Sequence, residues 1–238
     1  MAKVPAYINV YASLKKKINN GEYEIGEFLP AEKELEHDYD VSRTTIRRAI
    51  ELLAREGFVL VQQGRGTEVL DVNFNQYLNG VTSISETLRN QGCIVRPRKV
   101  CIDVVPASTK VATALQVKCG EDVVRIQRVQ LADDMPIAIM ENYISKSLVP
   151  NIERESSRII SLYKFLESEY GIILESAVDK IFAKNASFME SEILQIPYER
   201  ALICMKRTTY CKNKPITYDY LKIRADKYQL EVNTTGRL

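Results

Sequence analysis

Apolar residues in this chain fall into short periodic runs, and the period changes partway along. Between Pro5 and Asn20 the positions Tyr7 or Ile8, Tyr11, Leu14 and Ile18 share one helical face, and Gly21 ends the run. Tyr23 to Leu29 has no helical period and reads as extended, and Pro30 suits a first helical turn, where its missing N–H is no loss. A second helix is expected over Ala31–Tyr39, with Ala31, Leu35 and Tyr39 on one stripe. A third starts at Ser42, whose side-chain oxygen can cap a first-turn N–H, and it carries Ile46, Ala49, Ile50 and Leu53. Only Asp40 and Val41 lie between these helices, and Val41 is apolar enough to fill their angle. After Gly57 the pattern turns extended. Phe58–Gln62 and Thr67–Leu70 read as two strands joined by Gln63-Gly64-Arg65-Gly66.

Residues 71 to 80 (DVNFNQYLNG) have no clear period and mark a boundary, with an ordered linker between a first domain at 1–70 and a second at 81–238. Beyond it helices alternate with paired strands. Helices are expected at Ser83–Gln91, Ser108–Leu115, Leu162–Tyr170 and Phe188–Leu194. Val95–Val105 reads as a strand bent at Pro97, and Ile172–Ala183 as another. Two hairpins follow from Val123–Leu131 with Ile137–Ile144, and from Ala201–Tyr210 with Ile216–Ile223. Strands joined by hairpins and punctuated by helices give an α+β fold, an antiparallel sheet with helices packed on it.

Length and composition narrow this further. The 238 residues suffice for two small domains, and the net charge is only +2. No window is long and apolar enough to span a membrane, and the N-terminus has no secretory core, so a cytoplasmic protein is expected. The five cysteines (93, 101, 119, 204 and 211) are scattered and form no metal-binding spacing. His37 is the single histidine and reads as a surface residue. No metal or other cofactor is expected. Familiar nucleophilic and zinc chemistries lack their parts, and no paired carboxylates stand at a defined spacing.

The charge is nevertheless focused. Arg43, Thr44, Arg47, Arg48 and Arg55 lie opposite or beside the apolar stripe of the third helix, with Glu51 their one acidic neighbour on it. Two short helices with a tight link resemble a helix-turn-helix, whose second helix reads the major groove through its N-terminal residues. Arg43, Thr44, Thr45 and Arg47 offer suitable donors, and Thr adds a methyl group. An isolated basic helix more often just faces water. Here the hairpin behind it acts as a wing, and Arg65 at its tip stands between glycines that permit close backbone approach to a minor groove. Lys15, Lys16 and Lys17 form a further basic corner, either solvated or touching phosphate.

Leu29-Pro30-Ala31-Glu32, Leu35, Val41-Ser42-Arg43-Thr44-Thr45, Arg47, Ala49, Leu53, Glu56-Gly57 and Gln63-Gly64-Arg65-Gly66-Thr67 together resemble the winged helix-turn-helix of the GntR family of bacterial transcription regulators. The resemblance spans about the first seventy residues. It implies DNA contacts from Lys33, Ser42, Arg43, Thr44, Thr45, Arg47, Gln63, Gly64 and Arg65; Lys33 stands where the family usually has Arg, and Glu68 where an aromatic residue is frequent. The second half resembles the UTRA effector-binding domain of the HutC subfamily, which shares its fold with chorismate lyase. The carriers are Ser83–Gly92 (SISETLRNQG), Val124–Pro136 (VRIQRVQLADDMP), Tyr143, Leu162-Tyr163 with Tyr170-Gly171, and Arg224-Asp226-Tyr228.

That resemblance implies a small-molecule site with Arg128 inside it and Ser83, Ser161 and Tyr163 as hydroxyl donors to an anionic group. From the residues alone, Arg128 is equally an exposed strand residue paired with Asp133 or Glu141. Members that bind amino-sugar phosphates carry a second Arg where this chain has Gln130, and an acid where it has Met140. Thr217 and Ile223 replace polar or aromatic contacts. The implied pocket is less charged and more apolar, which suggests a different anionic metabolite. The implied function is a regulator, most often a repressor, that binds an inverted-repeat operator in double-stranded DNA as a homodimer and answers to a small effector. The alternative is a lyase-like enzyme with an appended winged helix.

Overall fold

A computed structural model describes residues 5–19, 21–62, 64–70 and 74–234. It divides into two compact units, Met1–Val72 and Asn73–Leu238.

The first unit packs three helices, α1 (Ala6–Asn19), α2 (Glu32–Tyr39) and α3 (Arg43–Arg55), with an antiparallel hairpin of β1 (Val59–Gln62) and β2 (Gly66–Val69). Helix α1 buries Val10, Leu14 and Ile18, spaced four apart on one face. Val10 therefore takes the inward place expected of Tyr7 or Ile8. Tyr11 is half-buried and donates its hydroxyl hydrogen to Glu56 at 2.6 Å. Leu35 of α2 and Ile46, Ala49, Ile50 and Leu53 of α3 complete the core with Phe58, Val59 and Val69, and Val41 packs against it. Each fully buried aliphatic side chain contributes about 1.5–3 kcal/mol of transfer free energy.

Local signals set the helix ends, with two departures from expectation, and a third departure lies within α1. Ala31 is the N-cap of α2 and is exposed, so Pro30 precedes the cap. The Ala31 N–H is taken by the Glu34 carboxylate at 2.8 Å. Ser42 is the N-cap of α3, yet its Oγ lies 3.0 Å from Thr45 Oγ1 and caps no backbone N–H. A hydroxyl three residues on offers a competing partner. Lys15 is neither solvated nor poised for phosphate. It is buried, 3.0 Å from Glu56 Oε2, with its ammonium over the Phe58 ring. The stretch before α2 is not extended throughout as expected: it turns at Ile25-Gly26 and meets the wing at an isolated bridge, Phe28 opposite Glu68, with Leu29 N–H on Thr67 O and Val69 N–H on Glu27 O, both at 2.8 Å.

The second unit opens with β3 (Phe74–Tyr77), which pairs in parallel with β10 (Tyr228–Glu231). Much of the expected 71–80 linker is thus a strand; residues 71–73 lie outside the described residues. No period marks β3, because Phe74 and Gln76 are its two buried residues and one is polar. The main sheet has the order β4-β5-β6-β9-β8-β7, all antiparallel, from β4 (Val95–Pro106), β5 (Asp122–Ala132), β6 (Met135–Ser145), β7 (Ser176–Asn185), β8 (Ala201–Cys211) and β9 (Lys214–Arg224). The hairpin strands run further than their apolar cores. Only Asp133-Asp134 and Lys212-Asn213 remain as turns, all four at positive φ, as two-residue hairpins require. Pro97 stays in register opposite Gln130, which an edge strand tolerates, and the irregularity falls instead between Arg98 and Cys101. β7 begins at Ser176, so Ile172–Glu175 lies outside it.

Helices α4 (Ile84–Asn90) and α6 (Leu162–Tyr170) cover one sheet face, while α5 (Thr109–Leu115) and α7 (Phe188–Leu194) cover the other. Ile84 and Leu88 of α4 pack on Ala138, Met140, Met205 and Leu221. Leu162, Phe165 and Leu166 of α6 pack on Val124, Ile126 and Ile144. A band of buried polar side chains lies at the seam between these two apolar clusters.

Candidate functional site

On the first unit, α3 presents Arg43, Thr44, Arg47, Arg48 and Arg55 to solvent, while Thr45 is half-buried. Arg43 and Arg47 share one partner that the sequence reading left without a role. Glu32 of α2 accepts Arg43 Nε at 2.7 Å and Arg47 Nε at 3.0 Å. The Arg43 hydrogen bond leads in holding the Glu32 carboxyl below its ordinary range. Both guanidinium groups remain more than half exposed, so Glu32 orients them without covering them. Arg48 lies over the Tyr7 ring at 5.5 Å. Lys33 is exposed on α2.

At the wing tip Arg65 is exposed and its N–H closes the turn on Gln62 O at 3.0 Å. Gly64 has φ +79 and Gly66 φ +127, and a Cβ on Gly66 would stand 2.9 Å from the Phe28 ring. Gln63 lies outside the described residues. Glu68, at the aromatic position, accepts a hydrogen bond from the Gln62 amide and so fastens the two wing strands together.

In the second unit Arg128, Gln130, Met140 and Thr217 fall on one face of the sheet, because side chains two apart on a strand share a face. All four are buried. Arg128 pairs with neither Asp133 nor Glu141. Glu141 points to the other face and accepts from Gln127 and the Tyr143 hydroxyl, and Asp133 Oδ1 accepts the Ile94 N–H at the hairpin. Arg128 Nη1 instead donates to Asn142 Oδ1 at 2.8 Å, and Asn142 Nδ2 donates to Asp219 Oδ1 at 2.7 Å. The Tyr163 hydroxyl donates to the other Asp219 oxygen at 2.7 Å. Thr217 pairs with the Thr209 hydroxyl at 2.8 Å and also supports Asp219. Ser83 and Ser161, the N-caps of α4 and α6, meet at 3.4 Å.

Two of the expected pocket residues serve the packing. Gln130 accepts from Ser85 Oγ at 2.7 Å and donates to the Arg96 carbonyl at 3.0 Å, and Met140 belongs to the α4 cluster. Asn142, Asp219 and Arg207 are the residues that sequence reasoning missed. Their signal was present. Ala138-x-Met140-x-Asn142-x-Ile144 and Thr217-x-Asp219-x-Leu221-x-Ile223 place a polar residue where the alternation demands an inward one.

Burial governs the electrostatics. It pushes the Asp219 carboxyl up, opposed by the hydrogen bonds from Asn142, Tyr163 and Thr217. It pushes Arg128 down to about 10, opposed by the attraction of Asp219 and Tyr163. It raises the Tyr163 hydroxyl well above the ordinary tyrosine value. Arg128 Nε has no hydrogen-bond partner, an omission that costs about 1–3 kcal/mol for a buried donor. Beside this cluster, where α6 begins, a cleft of about 350 Å³ is lined by Arg89, Ser161, Lys164 and Phe165 among others. It shares Ser161 with the cluster, and Arg128 is not among its lining residues.

Comparison with known proteins puts a family to both halves. The description of bacterial regulatory proteins of the gntR family matches residues 6–69, and the UTRA domain matches residues 92–229. The HTH-type transcriptional repressor NagR of Bacillus subtilis is 30% identical over 94% of this chain and 93% of its own. The probable transcriptional regulator PhnF of Escherichia coli is 31% identical over 92% of this chain and 91% of its own. The crystal structure of PhnF from Mycobacterium smegmatis superposes with a TM-score of 0.68 at 25% identity, covering 96% of this chain and all of that one. These relatives are transcription regulators, not enzymes, and the lyase-like alternative falls with them. Among the described residues no helix is long and apolar enough to cross a membrane. With a DNA-binding first unit and an effector-binding second unit, the chain belongs to the gntR family of bacterial regulatory proteins, in its UTRA-containing branch.

Proposed function

We propose that this regulator is a cytoplasmic repressor whose operator affinity is set by a small anionic metabolite held at Arg128. The observation that carries the reading is a buried guanidinium with an unpaired Nε, hydrogen-bonded through Nη1 to Asn142, in a cluster with the hydroxyl of Tyr163. A buried arginine without a direct carboxylate partner is set up to bind a carboxylate or phosphate. Ser83 and Ser161 add hydroxyls at two helix N-termini, and Lys164 and Arg89 add positive charge at the neighbouring cleft. One buried arginine, with Gln130 committed to Ser85, favours a less highly charged ligand than two arginines would, so organic acids stand beside sugar phosphates as candidates. The repressor name of the Bacillus relative supports repression.

DNA reading rests on Arg43, Thr44, Thr45 and Arg47 in the major groove, Arg65 in the minor groove, and Lys33, Ser42, Gln63 and Gly64 near the backbone. One winged helix reads few bases, so two copies act on an inverted repeat. The dimer forms through the second unit. The β7 edge supports this, because Val178, Ile181 and Phe182 are exposed on it and it carries neither proline nor bulge. The opposite edge, β4, is blunted by Pro97 and its irregular register. A thermal-shift screen of wild type and Arg128→Ala against organic acids and sugar phosphates tests the site. A ligand that binds the folded state raises the wild-type melting temperature by mass action. The variant should not respond, and an equal response would remove Arg128 from the site.

A further inference from the structure

Two hydrogen-bonded chains meet at one carbonyl, that of Thr82. From one side it accepts Gln76 Nε2 at 2.9 Å. Gln76 lies on β3, is fully buried, and takes the Tyr228 hydroxyl on its own Oε1 at 3.0 Å. From the other side Thr82 O accepts Arg207 Nη1 at 2.6 Å. The residue after Thr82 is Ser83, the α4 cap and a hydroxyl of the proposed anion site.

Arg207 is 2% exposed and uses every nitrogen of its fork. Nε and Nη2 hold Asp179 of β7 at 2.6 and 2.8 Å, which leaves Nη1 for Thr82. In the β8–β9 register Arg207 stands directly opposite Asp219, and the Tyr163 hydroxyl lies against it. Asp219 and Tyr163 are in turn the second layer behind Arg128, through Asn142. A ligand that draws a hydrogen bond from Asn142, Tyr163 or Arg128 would change the donors around Asp219, the carboxylate that Arg207 faces across the β8–β9 pair. Its fork is planar and rigid, so a shift toward Asp219 would be felt at the Nη1 bond to Thr82.

We infer that Arg207 is a positioning residue that transmits the state of the Arg128 site to the Thr82 carbonyl, and through Gln76 to β3, the strand with which the second unit begins. This rests on the effector reading at Arg128 and names the residue by which that site is coupled. A merely structural Arg207 would be an ion pair with Asp179 that fills the seam between two apolar clusters. The two roles differ in whether a change at Tyr163 is felt at β3 only when Arg207 and Gln76 are present.

The experiment uses the full chain without ligand. Amide hydrogen exchange is measured at β3 and at Leu78, whose N–H bonds Glu231 O, with α5 as an internal reference. Tyr163→Phe removes one hydroxyl beside Arg207 and Asp219. It should speed β3 exchange about 5-fold or more while α5 is unmoved, as expected for a local rather than global opening. In the Gln76→Leu and Arg207→Lys backgrounds the added effect of Tyr163→Phe should fall below about 2-fold, because coupled residues are non-additive. Gln76→Leu leaves the Arg207–Asp179 pair intact, so it decides the matter if Arg207→Lys does not fold. The inference is overturned if Tyr163→Phe leaves β3 unmoved in wild type, or moves it equally in the variant backgrounds. Since no ligand is used, that failure would leave the anion site standing, and loss of the anion site would show only in the Arg128→Ala screen.

Discussion

Single residues carry most of what this protein can do, and their partners decide how. Arg43 and Arg47 are fixed by one carboxylate, Glu32, yet stay more than half exposed. Exposed ion pairs of this kind contribute only about 0–1 kcal/mol, so Glu32 costs little to part from when DNA approaches. Changing Arg43 or Arg47 to Ala should weaken specific binding by roughly 1–3 kcal/mol. The unfolding midpoint should barely move, and operator affinity at fixed salt equal to wild type in both variants would contradict the assignment. Glu190 is the opposite kind of residue. Burial would raise its carboxyl, but Lys184, Lys222 and the Ser187 N–H outweigh that and hold it at about 2, below its ordinary 4.5. A depressed carboxyl stabilises the fold above its unfolded value and loses that contribution as the pH falls through its folded value. The stability gap between wild type and Glu190→Gln should therefore be full above pH 4.5, on the order of 2 kcal/mol, and close as pH approaches 2. Urea midpoints measured along that range check it, and a gap that widens on acidification would refute it.

Elements form where local chemistry dictates, and here the sequence was most legible. The three helices of the first unit, the wing and both hairpins follow from apolar periodicity, glycines and alternation, although the hairpin turns are two residues where longer links were expected. What was hidden depended on distant partners. β3 has no readable period because one of its two buried residues, Gln76, is polar, and its mate, β10, lies some 150 residues away in the chain. The register slip in β4 falls at Arg98–Cys101 rather than at Pro97, because an edge proline faces no partner on its N–H side. Alternation made one sheet face legible, with Met140 beside Ala138 and Glu141 on the other side, and the four residues that the resemblance named, Arg128, Gln130, Met140 and Thr217, do share it. The roles of Asn142, Asp219 and Arg207 were not, because a polar residue in an inward position says nothing about which buried charge it will serve. The wing offers an element-scale test. Gly66→Ala would force an unfavourable φ and a 2.9 Å approach to Phe28, costing about 1–3 kcal/mol and loosening the hairpin. Arg65→Ala should leave stability alone, weaken operator binding and relax preference for A·T pairs beside each half-site. Unchanged minor-groove footprints in Arg65→Ala would displace the wing from its proposed groove.

At the scale of the whole molecule the division of labour is plain in the chemistry: cations and glycines in the first unit, a buried polar seam in the second. Assembly is proposed to join two copies at β7. Sedimentation of the full chain at micromolar concentration should give a dimer, and Val178→Asp with Phe182→Asp should give a monomer that binds operator more weakly. A monomeric wild type would remove the proposal, and a dimeric double variant would move the interface elsewhere. The switch is the central claim. The measurement that tests it most directly is operator affinity at fixed salt, with and without saturating amounts of the ligand that most raises the melting temperature, for wild type and Arg128→Ala. Coupling of roughly 1–3 kcal/mol, or about 5- to 150-fold in operator affinity, is expected in wild type and none in the variant, whose ligand-free DNA binding should match wild type. Operator affinity that ignores the ligand in wild type, or responds equally in Arg128→Ala, would contradict the account.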